Sequence, residues 1–278
     1  MSVEGLEPSQ FGAPASPSGR QFTIGLGEQA AVITEVGATL RSYTTGGVDL
    51  IDGFDETVRA HDGRGQVLAP WPNRLAQGRY EFGGREVQAA LSEPSRGDAI
   101  HGLVRWLPWR STRTTADEVN LACTIHPQPG YEWSLSLEVS YRLAGDGLQV
   151  SAQAVNLGSE AAPFGIGFHP YLTLGLSVDN LELEIPARAP SDYLTPKVCG
   201  DSVVDADFTD LRRDADGRAV ARVRDPDSGR CLELWVDTAF SHLMVYTADQ
   251  VSDPARRRRA VAIEPMTSPL MRSDQELT

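Results

Sequence analysis

Apolar and polar side chains alternate along this chain far more often than apolar ones recur at helical spacing. In residues 134–143, Leu135, Leu137, Val139, Tyr141 and Leu143 share one face, the period of two that marks a half-buried strand. A Gly145-Asp146-Gly147 turn leads into a second alternating run at 148–155. Strand signals separated by glycine turns recur at 22–26, 31–36 and 39–43, and 79–87 reads as a hairpin on Gly83-Gly84, whose positive φ angles suit a tight turn. Further strands are predicted at 181–185, 219–223, 232–236, 242–246 and 259–263. No window sustains an i, i+3, i+4, i+7 apolar stripe. The pattern predicts an all-β protein, a large antiparallel β-sandwich of two stacked sheets. Residues 1–20, rich in Ser, Pro and Gly, read as a flexible leader, and 21–278 as one domain without internal repeats.

Composition narrows the partners. The 278 residues carry a net charge of -13, with a pI near 4.8, so neither a nucleic acid nor an acidic membrane surface is an expected partner. The one strongly basic run, 256–259, reads as a solvated hairpin loop rather than a phosphate-binding tract. Lys197 is the sole lysine and no phosphate-loop motif occurs, which leaves Schiff-base and nucleotide chemistry with little to work from. Cys123, Cys199 and Cys231 are odd in number and widely spaced, so no disulfide framework or zinc ribbon is indicated. The N-terminus lacks a basic and an apolar region of the secretory kind, and a soluble cytoplasmic protein is expected, monomeric or homodimeric.

Candidate chemistry rests on few residues. Of five histidines, His101 and His169 stand in Gly- and aromatic-rich strand ends, where imidazole is suited to proton transfer near neutral pH. An apolar strand ends in Glu264, and Arg74 lies in a Pro-rich turn. Taken singly, each has a plain structural use: a packed histidine, a terminal charge, an arginine closing a turn. Together they point to acid-base work on a polar, uncharged ligand. His61, His126 and His242 read as surface or edge residues, and no His-x-His or His-x-x-x-His spacing suggests a metal site. Trp71 is expected near the ligand, with Trp106, Trp109 and Trp133 as packing.

Five ordered blocks resemble the aldose 1-epimerase (galactose mutarotase) family, in its bacterial branch. They are Pro70-Trp-Pro-Asn-Arg74, His101-Gly-Leu-Val-Arg105, Gly167-Phe-His-Pro-Tyr171, Val204-Asp-Ala-Asp-Phe208 and Ala262-Ile-Glu-Pro-Met-Thr267. The resemblance implies a galactose mutarotase-type β-sandwich without a cofactor that interconverts the anomers of free aldohexoses such as glucose or galactose. It implies His169 as general acid at the ring oxygen and an ionised Glu264 as general base at the C1 hydroxyl, with Arg74, His101 and Asn73 holding hydroxyls. Asp205 matches the family's sugar-binding aspartate, with Asp207 and Asp210 as neighbouring alternatives. Two other functions stay open: an epimerase of hexose 6-phosphates, to which Arg74, Arg79 and Arg105 could contribute an anion site, and a sugar-binding protein without catalysis. Family members continue past the last block into a further strand. The shorter tail here, 269–278, is expected to leave a sheet edge unpaired.

Overall fold

In the computed structural model, which describes residues 16–268, strands make up nearly all the regular structure, and the described helical segments are four three-residue 3₁₀ turns. No helix among these residues is long and apolar enough to cross a membrane. The larger sheets are built from antiparallel ladders: three of four strands, one of seven, with two small two-stranded ribbons. The all-β expectation is met.

The patterned segments form the expected strands for the expected reason. Leu135–Ala144 buries Leu135, Leu137, Val139, Tyr141 and Leu143, while Ala219–Arg224 buries Ala219, Ala221 and Val223. All belong to one hydrophobic core that also takes Phe208, Leu243, Val245 and Ile263 from the seven-stranded sheet. Several sheets therefore close over a single apolar interior.

Three strands of five residues or more escaped the pattern reading. Arg110–Thr114 is exposed throughout, an edge strand held by its ladder to Glu118–Ile125 rather than by burial. Glu118–Ile125 does alternate, with Val119, Leu121, Cys123 and Ile125 inward, but Ala122 blurs the period. Asp205–Leu211 is mostly polar because one of its faces is not core. The alternating run at 148–155 is a strand, Gly147–Asn156, yet it lies almost wholly exposed at the edge of its sheet.

Within the seven-stranded sheet the order is Ala187–Ala189, Asp205–Leu211, His242–Tyr246, Val261–Met266, Gly167–Phe168 and Val67–Leu68, with Tyr171–Leu172 also pairing Val261–Met266. The strand that carries Glu264 is thus flanked on both sides. Of the leader, Ser16–Arg20 is described and already fixed: Ser18 is buried and its carbonyl accepts from the Val36 amide. The rest of the leader and the shortened tail lie outside the described residues.

The basic run is anchored. Arg256 donates to the Gly53 carbonyl at 2.6 Å and pairs with Asp52 at 3.3 Å. Arg258 pairs with Asp249 at 2.6 Å and Asp179 at 2.5 Å and donates to the Gly200 carbonyl at 2.7 Å, whereas Arg257 and Arg259 are exposed. Only part of the run is the solvated loop that its charge suggested. Arg258→Met should lower the urea midpoint by the equivalent of about 1–3 kcal/mol without changing the slope, because two carboxylates and a carbonyl lose their donor. An unchanged midpoint would show that these contacts hold nothing.

Candidate active site

Register decides which side chains meet. In an antiparallel ladder opposed residues share a face, and Asp207 opposes Met244, which opposes Glu264. One row up, Asp205 opposes Tyr246. Asp205, Asp207 and Glu264 thus occupy one face of the sheet, while Phe208, Leu243, Val245 and Ile263 fill the core on the other. Here the alternation that builds a strand also separates the core from the chemistry.

His169 meets Glu264 over this face. Its Nε2 lies 3.3 Å from Glu264 Oε1, and both side chains are almost wholly buried. The ring is set from behind by Tyr171, stacked on it at 5.0 Å and 13°, and Tyr171 in turn lies under the Arg64 guanidinium at 4.4 Å. Arg64 is itself buried and fixed by Asp52 and Asp62, each at 3.0 Å. Gly63, at a φ of +76°, passes so close to the His169 ring that a Cβ there would collide with it.

His101 enters from a second turn, its ring edge-on to His169 at 5.4 Å. The His101 amide donates to the Asn73 carbonyl at 2.8 Å, and the Asn73 amide donates to His101 Nδ1 at 3.2 Å. Both residues hold positive φ, 62° and 53°, a conformation uncommon outside glycine. Because Nδ1 accepts a hydrogen bond, the neutral ring carries its proton on Nε2. His101, His169 and Glu264 bring donor atoms within 4.8 Å of one another, a set that could geometrically surround a metal ion. The Nε2–H form of His101 is a hydrogen-bond donor, however, and ligation through Nε2 would break the clamp with Asn73.

Burial sets the protonation. It drives Glu264 well above the ordinary carboxylate range, and the charges of Asp205 and Asp207 push the same way against that of Arg74. It drives His169 down to about 3, with Arg105 and Arg64 adding to the effect, and His101 well below its usual value. Both shifts favour the uncharged forms, a protonated Glu264 carboxyl beside a neutral His169 ring. The direction is opposite to the ionised Glu264 of the sequence reading, because neither group retains the water that would stabilise its ion.

The other expected residues separate by role. Arg74 faces the site, close enough for its charge to act on Glu264 and His101, and is held by Glu93 through bonds of 2.6 and 3.1 Å. Asp205 is exposed and its charge reaches both Glu264 and Arg74. Asn73 works through His101. Trp71 does not offer its face to a ligand: it is 2% exposed and its ring packs in the main core. Trp109 and Trp133 are packed as expected, but Trp106 is 46% exposed.

Some participants had no sequence signal of their own. His242, expected at the surface or an edge, is mostly buried on the Glu264 face, with Nδ1 2.9 Å from Asp207 Oδ2. Arg64, Gly63 and Tyr171 matter only through contact with His169. Buried polar atoms without a partner gather around the site: Glu264 Oε2, His169 Nδ1, Asp207 Oδ1 and Arg105 Nε. Such atoms are uncommon in a finished interior and suit a pocket that receives a polar ligand.

Comparison with known proteins follows the same line. Residues 20–275 match the family model described as aldose 1-epimerase. The chain is 32% identical over 271 residues to the uncharacterized protein YihR of Escherichia coli K12, covering 91% of this chain and 85% of that protein. Among solved structures it resembles the GalM/aldose epimerase homologue from C. elegans, with a TM-score of 0.75, 18% identity and 89% of each chain covered. Galactose 1-epimerase from Lactobacillus acidophilus gives a TM-score of 0.74 at 18% identity, over 92% of this chain and 87% of that one. These likenesses show the galactose mutarotase-like fold.

The clamp on His101 has a spectroscopic consequence. Its ring nitrogens should show the Nε2–H tautomer and stay neutral from about pH 8 to about pH 5, where an unperturbed histidine would titrate. A His101 midpoint near 6.5 would contradict the burial and the clamp.

Proposed function

The chain belongs to the aldose 1-epimerase family, and from that premise we propose that it interconverts the α and β anomers of an aldose by opening and reclosing the ring between Glu264 and His169. The observation that carries this reading is the buried His169–Glu264 pair at 3.3 Å, beside a His101 ring whose Nδ1 accepts from the Asn73 amide. Opening a hemiacetal removes one proton from O1 and delivers one to the ring oxygen O5. Nothing is oxidised and no group is transferred, so two positioned groups with one proton between them suffice.

As the sugar binds, the proton of Glu264 passes to His169, a shift that the Arg74 charge assists by favouring the glutamate anion. Glu264 then takes the O1 proton while His169 protonates O5. The C1–C2 bond turns, and the same transfers run backwards when the aldehyde closes from its other face. His101, Arg74 and Asp205 hold hydroxyls, and Asn73 keeps His101 in its donor form. The reading needs no cofactor. Free glucose and galactose are the first substrates to try, and retention of sugar binding without catalysis is the competing reading.

Polarimetry of freshly dissolved α-glucose and α-galactose should show mutarotation faster than the buffer rate. Glu264→Gln and His169→Asn should each lower kcat by about 10² to 10⁴ while leaving the melting temperature near that of wild type. Wild-type rates in both variants would remove these residues from the chemistry.

The pH profile follows from the single shared proton. Because the His169 midpoint is depressed, the pair gains a second proton only in strong acid, and kcat/KM should stay level below about pH 6.5. Because the Glu264 midpoint is raised, the pair loses its one proton on the alkaline side, and kcat/KM should fall there. An acid limb at the ordinary imidazole value would contradict this.

A further inference from the structure

The basic run at 256–259 borders a cavity that the catalytic pair does not share. About 570 Å³ in volume, it is also lined by Arg41, from strand Leu40–Thr45, and by the loops 51–55 and 173–177, whereas His101, His169 and Glu264 do not reach it. Small-molecule sites commonly enclose about 300 to 1,000 Å³. Ile51 and Phe54 are buried and Leu176 is half-buried, so part of the lining is apolar.

Three of the guanidinium groups around it have no acid partner. The chain carries 38 acidic residues against 25 basic ones, yet among the described residues no carboxylate lies within ion-pair distance of Arg41, Arg257 or Arg259. Arg41 makes one bond, to the Phe54 carbonyl at 3.4 Å, and its Nε is buried without a partner. The loop itself is fixed: Arg256 is tied to Gly53 and Asp52, and Arg258 to Asp249 and Asp179, which keeps Arg257 and Arg259 at the cavity. The acids of the lining do not balance these charges. Asp52 is divided between Arg64 and Arg256, and Asp55 accepts from the Thr57 amide and hydroxyl, which leaves Asp49. Like charges held round a concave surface repel one another and draw in an anion.

We propose that this cavity is a second binding site, taking the phosphate group of a small molecule on Arg41, Arg257 and Arg259, with the body of that molecule against Ile51, Phe54 and Leu176. A phosphate monoester carries about 1.5 to 2 negative charges on three terminal oxygens, more than one guanidinium can meet, whereas a single arginine satisfies a carboxylate. The site stands apart from the mutarotation reading, since no residue assigned to ring opening lines the cavity.

Calorimetry with inorganic phosphate, pyrophosphate, glycerol phosphate, AMP and ATP, against adenosine as the uncharged control, reads binding, and NMR of the arginine Nε–H groups locates it. At least one phosphate probe should bind about ten-fold or more tightly than adenosine and shift the Arg41 Nε–H signal. The tightest probe identifies whether the phosphate arrives free, as a monoester or in a polyphosphate. Arg257→Gln combined with Arg259→Gln should weaken that binding about ten- to a hundred-fold at an unchanged melting temperature, because both side chains are exposed and unbonded among the described residues. Arg110→Gln combined with Arg113→Gln removes the same charge from an exposed edge strand and should leave the affinity within about two-fold. Affinities no better than that of adenosine, equal losses in the two double variants, or binding that shifts Arg74 and Arg105 but not Arg41, would each overturn the proposal.

Discussion

A carboxyl group and an imidazole held 3.3 Å apart, both out of reach of water, set the terms for the rest of this structure. Ionising either one in such surroundings is expensive, so the pair rests as neutral partners that hold one proton between them. A polar ligand that enters brings the hydrogen bonds which water no longer supplies, and the proton can move within a geometry already fixed.

Fixing that geometry draws on the whole fold. Glu264 cannot swing away because Ile263 on the same strand is locked into the core and the strand is paired on both sides. His169 is stacked on Tyr171 and Arg64, and Gly63 leaves room for its ring. His101 and Asn73 are both held in left-handed backbone by two reciprocal hydrogen bonds. Strain of this kind persists only where the surroundings over-determine it. Here it aims a single N–H into the pocket.

Charge is arranged with equal economy. The sheet face supplies Glu264, Asp205 and Asp207, and the turns supply Arg74 and Arg105, so acidic and basic side chains both act on the buried pair. The chain belongs to the aldose 1-epimerase family, and the buried His169–Glu264 pair lies at the centre of this arrangement. Around that pair lie the Asp207–His242 contact at 2.9 Å and the buried, unpartnered Arg105 Nε.

The period of two along residues such as Leu135 to Leu143 determined the all-β class by itself, because alternation follows from strand geometry and needs no tertiary contact. Ordered motifs likewise marked His101, His169, Glu264 and Arg74. Strand Asp205–Leu211 stayed hidden, since one of its faces serves the site and so lacks the apolar residues by which a strand is recognised. Trp71 looked like a sugar platform from its neighbours in sequence, but its ring goes into the core. The proton on Glu264, the tautomer of His101 and the part played by His242 all depend on burial and on partners 28 to 35 residues or more away. A sequence specifies which groups are present; how much water each keeps, and which neighbour it meets, is settled only when the sheets close.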